Sequence, residues 1–457
     1  MRGLPARLSQ CYLGTTLVVT FLNLIACGPS PATPLSTPGK AIISTETAIS
    51  IPAPLPGCGG FSPPELVASF RTSGHLEATA AADFNADGLA DILLIRIIWQ
   101  SAGTFEPVFL LNRGGGQFVN GNPMIFHGAP PRTHHPRQIV IADFNGDGRP
   151  DIFLADHGQD TDPFPGYQNS LILSAPDGKF TDATANLPQR SDFTHSAAAE
   201  DVDLDGDWDL YVGNIWGRKE ISPYVLLNDG SGAFSLASGL LPDSVSNLNT
   251  SRFTASVFAD VNNDRAPDLI LGADDHTPAS LVLLNDGLGH FSLKANAIPI
   301  KPYAATDIAL VIEPVELNGD GYIDLVMAFT QADYQNRYLQ VLVNQGDATF
   351  ADETTTRLEG FEPQGTWIKE LEVVDFDGNG SPDILTKHVP GSGEQPLLLL
   401  NNGTGRFSTA PLGVNIQANL FSLVDLDGDG GLDILSSVPA SGGQPETHFL
   451  IRDQRCP

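Results

Sequence analysis

Seven short acidic segments contain the residues with the clearest chemistry in this chain. They share the pattern Asp-x-Asx-x-Asx-Gly-x-x-Asp, and an apolar run follows each of them directly. Side-chain oxygens at positions 1, 3 and 5 of a tight turn face one side, and the acid at position 9 completes a cage of hard oxygen ligands, which selects Ca²⁺. The pattern therefore predicts structural Ca²⁺ in as many as all seven segments. The predicted ligands are Asp83, Asn85, Asp87, Asp91; Asp143, Asn145, Asp147, Asp151; Asp201, Asp203, Asp205, Asp209; Asp260, Asn262, Asp264, Asp268; Glu316, Asn318, Asp320, Asp324; Asp375, Asp377, Asn379, Asp383; and Asp425, Asp427, Asp429, Asp433.

An EF-hand and a simple capped turn are the alternatives to a calcium cage in these segments. An EF-hand needs an acid at position 12 and a helix on each side, whereas position 12 is here Leu, Val, Met, Thr or Ser in a β-type run. This excludes an EF-hand. For each segment the alternative is a turn without a metal, in which the Asp side chains bond only to local amides. Because Arg265 replaces the Gly of the fourth segment and Glu316 replaces the first Asp of the fifth, we expect these two to bind Ca²⁺ worst. We expect the first, second, third and seventh to bind it best.

The segments recur at intervals of 50 to 60 residues. After each of the first six come an apolar run, a tight turn that is mostly rich in Gly, and a Phe, and Asn-Gly or Asp-Gly pairs between apolar runs predict β-hairpins. Each repeat then has four strands: A before the acidic loop, B after it, C before the tight turn, and D from the Phe. Four-stranded units at this period indicate a β-propeller, whereas an RTX-type β-roll needs a period of about nine residues. We predict an all-β protein, a seven-bladed β-propeller with four-stranded antiparallel blades.

These repeats resemble the FG-GAP/VCBS family of calcium-loop propellers, which includes the propeller of integrin α-subunits. The resemblance extends over roughly residues 57–457. It implies that Ca²⁺ lies in the A–B hairpin of a blade, where side chains at positions 1, 3, 5 and 9 bind it. It also implies a further ligand, the backbone carbonyl of position 7.

The N-terminus resembles the signal peptide of bacterial lipoproteins. A basic start precedes an apolar stretch that ends in Leu-Ile-Ala before Cys27, which is similar to a lipobox. The resemblance implies a signal peptide at residues 1–26 and a lipid on Cys27; a plain secretory signal or a buried apolar helix are the alternatives. Residues 27–57 are rich in Pro, Ser and Thr and predict a flexible tether, which leaves 58–457 for the propeller. We predict an extracytoplasmic, membrane-anchored lipoprotein of the outer membrane or cell surface, with secretion as the second choice.

The last repeat has no strand D of its own. In the six complete repeats the Phe comes 31 to 37 residues after the first loop residue, and the same count from Asp425 reaches the end of the chain. A spare Phe61 lies 22 residues before Asp83. We therefore predict that the N-terminal strand closes the last blade. Cys58 and Cys456 would then lie near each other, and a disulfide is expected in an oxidising compartment; two free thiols are the alternative.

The segments that join strands B to C and D to A are long and differ between blades, which is typical of ligand-binding loops on a rigid scaffold. The most unusual ones belong to the second and third blades and contain His135, His157, Asp162 and His195. We expect them to converge near the channel mouth. They predict a polar ligand pocket or a transition-metal site, or else side chains that only pack between blades.

Charge and motifs limit the classes of function. Acidic residues exceed basic ones by 30 (54 against 24), which argues against a nucleic-acid partner because such surfaces need clustered Lys and Arg. The common hydrolase, zinc-protease, P-loop and dinucleotide motifs are missing from the sequence. We expect a monomeric ligand-binding, adhesion or scaffold module for a protein or glycan, in contact with the membrane only through its lipid. The alternative is a carbohydrate-active enzyme, similar to a polysaccharide lyase, or a lectin that uses the face opposite the calcium loops.

Overall fold

The computed structural model describes residues 61–62, 64–70, 75–97, 103–215, 221–247, 252–331, 334–358, 361–389, 392–414, 416, 421–438 and 446–451. Three predictions fall outside these residues: the signal peptide and tether at 1–57, the lipidated Cys27, and the disulfide between Cys58 and Cys456. They stay predictions.

The described chain forms seven antiparallel sheets, six with four strands and one, in blade 5, with a fifth short strand beside its four. In blades 1 to 6 the strands follow one another in the order A-B-C-D. Blade 1 contains β2 (His75–Ala82), β3 (Asp91–Ile97), β4 (Val108–Asn112) and β5 (Phe118–Asn120). Blade 2 contains β6 (Pro136–Ala142), β7 (Asp151–Asp156), β8 (Ser170–Ser174) and β9 (Phe180–Asp182). Blade 3 contains β10 (Thr194–Glu200), β11 (Asp209–Asn214), β12 (Tyr224–Asn228) and β13 (Phe234–Ala237). Blade 4 contains β14 (Phe253–Ala259), β15 (Asp268–Ala273), β16 (Leu281–Asn285) and β17 (Phe291–Lys294).

The remaining three blades complete the ring. Blade 5 contains β18 (Ile308–Val315), β19 (Asp324–Gln331), β20 (Gln335–Asn344) and β21 (Phe350–Asp352), with the short β22 (Gln364–Thr366) paired to β20. Blade 6 contains β23 (Ile368–Val374), β24 (Asp383–His388), β25 (Leu398–Asn401) and β26 (Phe407–Ala410). Blade 7 contains β27 (Phe421–Val424), β28 (Asp433–Val438), β29 (Glu446–Ile451) and, as its strand D, β1 (Glu65–Phe70). The predicted seven-bladed propeller is confirmed.

In the part of the chain that the structure describes, the helical segments of three or more residues are short, and each follows a strand D. These are α1 (Asn122–Ile125), α2 (Asp243–Ser246), α3 (Thr354–Arg357) and a 3₁₀ turn at Thr184–Asn186. Within the described residues, no helix has the length and apolar character needed to cross a membrane.

Ring closure by the N-terminal strand is confirmed, with one difference in where that strand begins. β1 pairs antiparallel with β29, from Glu65 opposite Leu450 to Phe70 opposite Glu446. In the six other blades strand D begins at its Phe, but here it begins four residues after Phe61. Two prolines, at 63 and 64, separate Phe61 from the strand, and proline has no N–H to donate to a ladder. Phe61 instead packs on Phe376 of blade 6, with ring centroids 5.9 Å apart.

The core lies between the blades. Seven apolar clusters are present, one at each contact between neighbouring blades, and the cluster between blades 7 and 1 includes Leu76, Leu94 and Leu435. Each sheet is therefore covered on both faces. This explains why the B strands are continuous apolar runs rather than alternating ones, as in β3, in which every residue is buried.

Candidate functional site

The seven acidic segments are the A–B loops, one in each blade, and every strand B begins at the Asp of position 9. In blade 1, Asp83 Oδ1 accepts the N–H of Asp87 at 3.0 Å, and its Oδ2 accepts the N–H of Gly88 at 2.8 Å. The side-chain oxygen of Asn85 also accepts the N–H of Asp87, at 2.9 Å. The same three bonds recur in blade 2. They fold each loop into a tight turn around its own side-chain oxygens.

Carboxylate oxygens converge in three of these loops. In blades 3, 6 and 7, one oxygen from each acid at positions 1, 3 and 9 lies within 4.8 Å of the other two. The other four loops have Asn at position 3, so an amide oxygen takes the place of one carboxylate. Carboxylate and amide oxygens are the ligands that Ca²⁺ uses in proteins, and the donor set of each loop therefore fits this ion. The three convergent sets are Asp201, Asp203 and Asp209; Asp375, Asp377 and Asp383; and Asp425, Asp427 and Asp433.

The acid at position 9 is buried in all seven loops. Burial, with neighbouring loop carboxylates adding to it, raises the pKa of Asp91 to about 7. Burial likewise raises the pKa of Asp209 and Asp268 to about 7 and that of Asp324 to about 6. A buried carboxylate surrounded by other acids is unfavourable in its charged form, and a cation among them favours that form. The electrostatics of the loops therefore agree with a cation as their ligand.

The two irregular loops keep the turn by different means. In blade 4, Arg265 takes the Gly position with φ +78°. Asp260 nevertheless accepts the N–H of Asp264 at 3.0 Å and that of Arg265 at 2.8 Å. In blade 5 a single carboxylate oxygen of Glu316 accepts three consecutive N–H groups, those of residues 318, 319 and 320. Glu316 therefore shares only the N–H of position 5 with the first Asp of the regular loops, and it accepts those of positions 3 and 4 where Asp accepts that of position 6. The predicted order of Ca²⁺ affinities stays a prediction.

A second polar site lies in the central channel. In strand A of blades 1 to 6 the pairing with strand B shifts at one residue, and such β-bulges redirect a side chain. Lys369 Nζ of blade 6 lies 3.4 Å from Glu77 Oε1 of blade 1, although blade 7 stands between these blades. Side chains of two blades that are not neighbours can meet in this way only inside the ring, so both reach into the central channel. The bulged residues are Glu77, Arg137, His195, Thr254, Leu310 and Lys369.

The structure brings His135, His157 and His195 together beside these side chains. The ring centroid of His157 is 4.8 Å from that of His135 and 4.8 Å from that of His195. Arg137 Nη2 lies 3.4 Å from His157 Nε2, and His135 Nε2 lies 3.7 Å from Glu77 Oε1. All of these side chains are buried. We call this group the channel cluster; its members are Glu77, His135, Arg137, His157, His195 and Lys369.

The channel cluster contains one carboxylate, Glu77, beside the two cations Arg137 and Lys369. Burial, together with the charge of Arg137, holds the pKa of His157 and His195 well below the usual range of an imidazole. Burial tends to raise the pKa of Glu77, but Lys369 and His135 beside it hold that pKa below its usual value. Four sets of three ligating side chains converge within 4.8 Å in the described part of the chain, and the three histidines do not form one. The three histidines thus contact one another in a buried group, and the predicted ligand pocket or transition-metal site stays a prediction.

Asp162, the fourth residue predicted for this pocket, is exposed and lies outside the channel cluster. Asp160, two residues earlier, lies beside the channel cluster instead, with its Oδ1 3.8 Å from His157 Nε2. Other backbone approaches this loop closely at Gly158 and Gly166, where an added Cβ would lie 2.4 Å from the Gly166 carbonyl carbon and 2.3 Å from the Asp192 carbonyl oxygen, respectively. The folded path of this loop, which local sequence does not specify, decides which Asp turns inward.

Sequence reasoning missed two further groups. The first consists of five asparagines that end strand C and whose side chains bond to the preceding blade; the recurrent Leu-Asn or Val-Asn before the tight turn is the sequence signal for them. We call them the interblade asparagines: Asn112, Asn228, Asn285, Asn344 and Asn401. The second group is Asp274, Asp275 and His276 between strands B and C of blade 4. Lys301 Nζ already donates to the Asp274 carbonyl there at 2.5 Å.

The chain is similar in part to known proteins. A model of the FG-GAP-like repeat matches residues 83–154, 143–212 and 316–386, which include the A–B loops of blades 1, 2, 3, 5 and 6. The phosphatidylinositol-glycan-specific phospholipase D of Rattus norvegicus is 29% identical over 177 residues. That alignment covers 33% of this chain and 20% of the relative, so the chain spans only a fifth of that protein. Among solved structures, the Dos1 propeller matches with a TM-score of 0.45 and 11% identity, over 85% of this chain and 95% of the other.

The sheet order and the family match together identify the architecture. Seven antiparallel sheets follow one another around a ring, and in five of them the repeat model covers the loop that joins the first two strands. The chain is a seven-bladed β-propeller that carries FG-GAP-like repeats.

Proposed function

We propose that this protein is an extracytoplasmic, lipid-anchored propeller that binds structural Ca²⁺ in its A–B loops and holds a protein or glycan ligand at the cell surface. One observation carries the proposal, which is the difference between the two faces of the ring. One face has seven loops of the same length and ligand pattern, whereas the connections on the other face differ from blade to blade. Varied loops on a rigid ring are suited to ligand binding, and the acidic loops are suited to holding the ring rigid.

The lipid anchor is tested by the residue that would carry it. Metabolic labelling with a fatty acid should mark the full chain, and Cys27→Ser should abolish the label and release the protein from the membrane fraction. Cys456→Ser is the control variant, because it removes a thiol near the other end of the chain and should leave the label unchanged. An unlabelled parent chain would contradict the anchor.

The ligand is tested with the mature chain immobilised through its N-terminus. We expect capture of a surface protein or glycan that is lost in EDTA, because loops without Ca²⁺ no longer hold the blades rigid. The same chain is then incubated with acidic polysaccharides. Turnover of a polysaccharide would contradict a protein that only binds its ligand and would support the alternative, a carbohydrate-active enzyme. Equal capture with and without EDTA would contradict the role of Ca²⁺.

A further inference from the structure

A hydrogen bond between neighbouring blades recurs around the ring. The side-chain amide of each interblade asparagine donates to a backbone carbonyl in the A–B loop of the preceding blade, at 2.7 to 3.1 Å. Each acceptor is the residue at loop position 2, which lies between two predicted calcium ligands at positions 1 and 3. In blade 1 the acceptor is Leu426 of blade 7, so the same bond also spans the closure of the ring.

The interblade asparagines also hold the loop of their own blade. The backbone N–H of each donates to Oδ1 of the Asp at position 9, at 2.7 to 2.9 Å. The other oxygen of that Asp accepts the N–H of position 2 in the same loop; the distance is 3.1 Å in blades 1 and 3 and 3.2 Å in blades 4 and 5. Each interblade asparagine thus contacts two A–B loops at once.

The contact between blades 3 and 4 shows the complete chain of bonds. Asp268 of blade 4 accepts the N–H of Asn285 at 2.9 Å, and Asn285 Nδ2 donates to the Val202 carbonyl of blade 3 at 2.8 Å. The N–H of Val202 then donates to Asp209 of blade 3 at 3.1 Å. Two acids that are predicted to bind different Ca²⁺ ions are therefore joined through three hydrogen bonds and one side chain.

We propose that the interblade asparagines are positioning residues that couple calcium binding in neighbouring A–B loops. The inference rests on the proposed calcium-binding function. An ion held by positions 1 and 3 of blade 3 orders position 2 between them, and with it the carbonyl that Asn285 needs. Asn285 then holds Asp268 in place before an ion arrives in blade 4. Ordering that one ion has already brought about lowers the entropy cost of binding the next one.

Blade 2 is the natural exception. Its strand C ends in Ser174, whose Oγ donates to Asp151 at 2.7 Å and to Asp147 at 3.1 Å. Within the described residues, all hydrogen bonds of the Ser174 amide and hydroxyl stay in blade 2. The carbonyl of Phe84 in blade 1 therefore lacks the asparagine donor that the equivalent carbonyls of blades 2 to 5 and 7 have. This mechanism leaves two pairs of loops uncoupled, those of blades 1 and 2 and those of blades 6 and 7, because strand C of blade 7 ends at Ile451 rather than at an asparagine.

The test follows each loop separately in the full mature chain. Hydrogen–deuterium exchange of peptides from residues 201–209 and 260–268 is measured during a CaCl₂ titration, which gives one midpoint for each loop. In Asn285→Ala we expect both midpoints to rise about fivefold, the equivalent of one net hydrogen bond. The midpoint of the peptide from residues 83–91 should stay unchanged. Asn402→Ala is the matched control, because the side chain of this asparagine, next to Asn401 of blade 6, bonds among the described residues only to Thr404 of its own turn and its loss should move no midpoint.

Three results decide between the possibilities. A rise confined to the blade 4 loop would show a local role for Asn285 and overturn the coupling, while the calcium proposal would stand. Exchange that does not respond to CaCl₂ in the parent chain would overturn the calcium proposal, and the coupling with it. Ser174→Asn supplies a test in the opposite direction: a lower midpoint at residues 83–91 supports coupling, and an unchanged midpoint there overturns it.

Discussion

Without Ca²⁺, the propeller should become less stable as the pH rises from 5 to 7. In the folded state burial raises the pKa of Asp91, Asp151, Asp209 and Asp268 from the ordinary 3.8 to about 7. The unfolded chain releases these protons near the ordinary value. Between the two values the folded state binds more protons than the unfolded one, so its stability is greatest at low pH and is lost as the pH rises through about 7.

The size of this effect follows from the two pKa values. Between pH 5 and pH 7 each of these carboxyls lowers the free energy of unfolding by about 2 kcal/mol. The four carboxyls together lower the free energy of unfolding by about 9 kcal/mol at most if they titrate independently. For a domain of about 400 residues, with an unfolding entropy of roughly 2.1 cal/mol/K per residue, that corresponds to a fall in Tm of about 10 °C.

Calorimetry at pH 5, 6 and 7 measures this fall, in buffer stripped of metal and in buffer with CaCl₂. Bound Ca²⁺ keeps the carboxylates charged in the folded state, so the fall should disappear with CaCl₂. Asp268→Asn carries no titrating group at this position and should remove about a quarter of the fall that these four carboxyls cause. Asp182→Asn, at an exposed acid of strand β9, should leave it unchanged. A metal-free Tm that is constant or rises between pH 5 and 7 would refute the reasoning.

The other predictions concern single loops, the channel side and the chain ends. Asp143→Ala should lower the Tm in CaCl₂ more than Asp264→Ala does, because the blade 4 loop already has Arg265 at its Gly position; equal losses would contradict the predicted order of affinities. Gly166→Ala should destabilise the protein by about 2 kcal/mol or more, since its Cβ would lie 2.3 Å from the Asp192 carbonyl oxygen. In denaturant melts the loss of stability caused by Gly166→Ala should exceed that caused by Gly128→Ala, because a Cβ added at Gly128 has no atom within 4 Å. Thiol titration of the unfolded, unreduced mature chain should find no free thiol at Cys58 or Cys456, and reduction should cost about 4 kcal/mol in stability.

The sequence alone determines the number of blades, the position of every A–B loop and the closure of the ring. All three follow from a pattern that repeats at a nearly constant interval, and each repeat folds into the same hairpins by local turn chemistry. The same count predicted that strand D of the last blade comes from the N-terminus. The predicted start of that strand, Phe61, is four residues too early. Two prolines follow Phe61 before the strand, and proline has no N–H to donate to the ladder.

Only the tertiary structure shows which side chains meet. Glu77 and Lys369 are almost 300 residues apart and touch because β-bulges in two strands turn them toward one axis. Asn285 bonds to Val202 because closure of the ring places the end of one strand C beside the loop of the preceding blade. Asp160 rather than Asp162 approaches His157 because of the path of one folded loop. Local sequence specifies hairpins and turns, whereas these contacts depend on how seven sheets pack around a common axis, and that packing exists only in the closed ring.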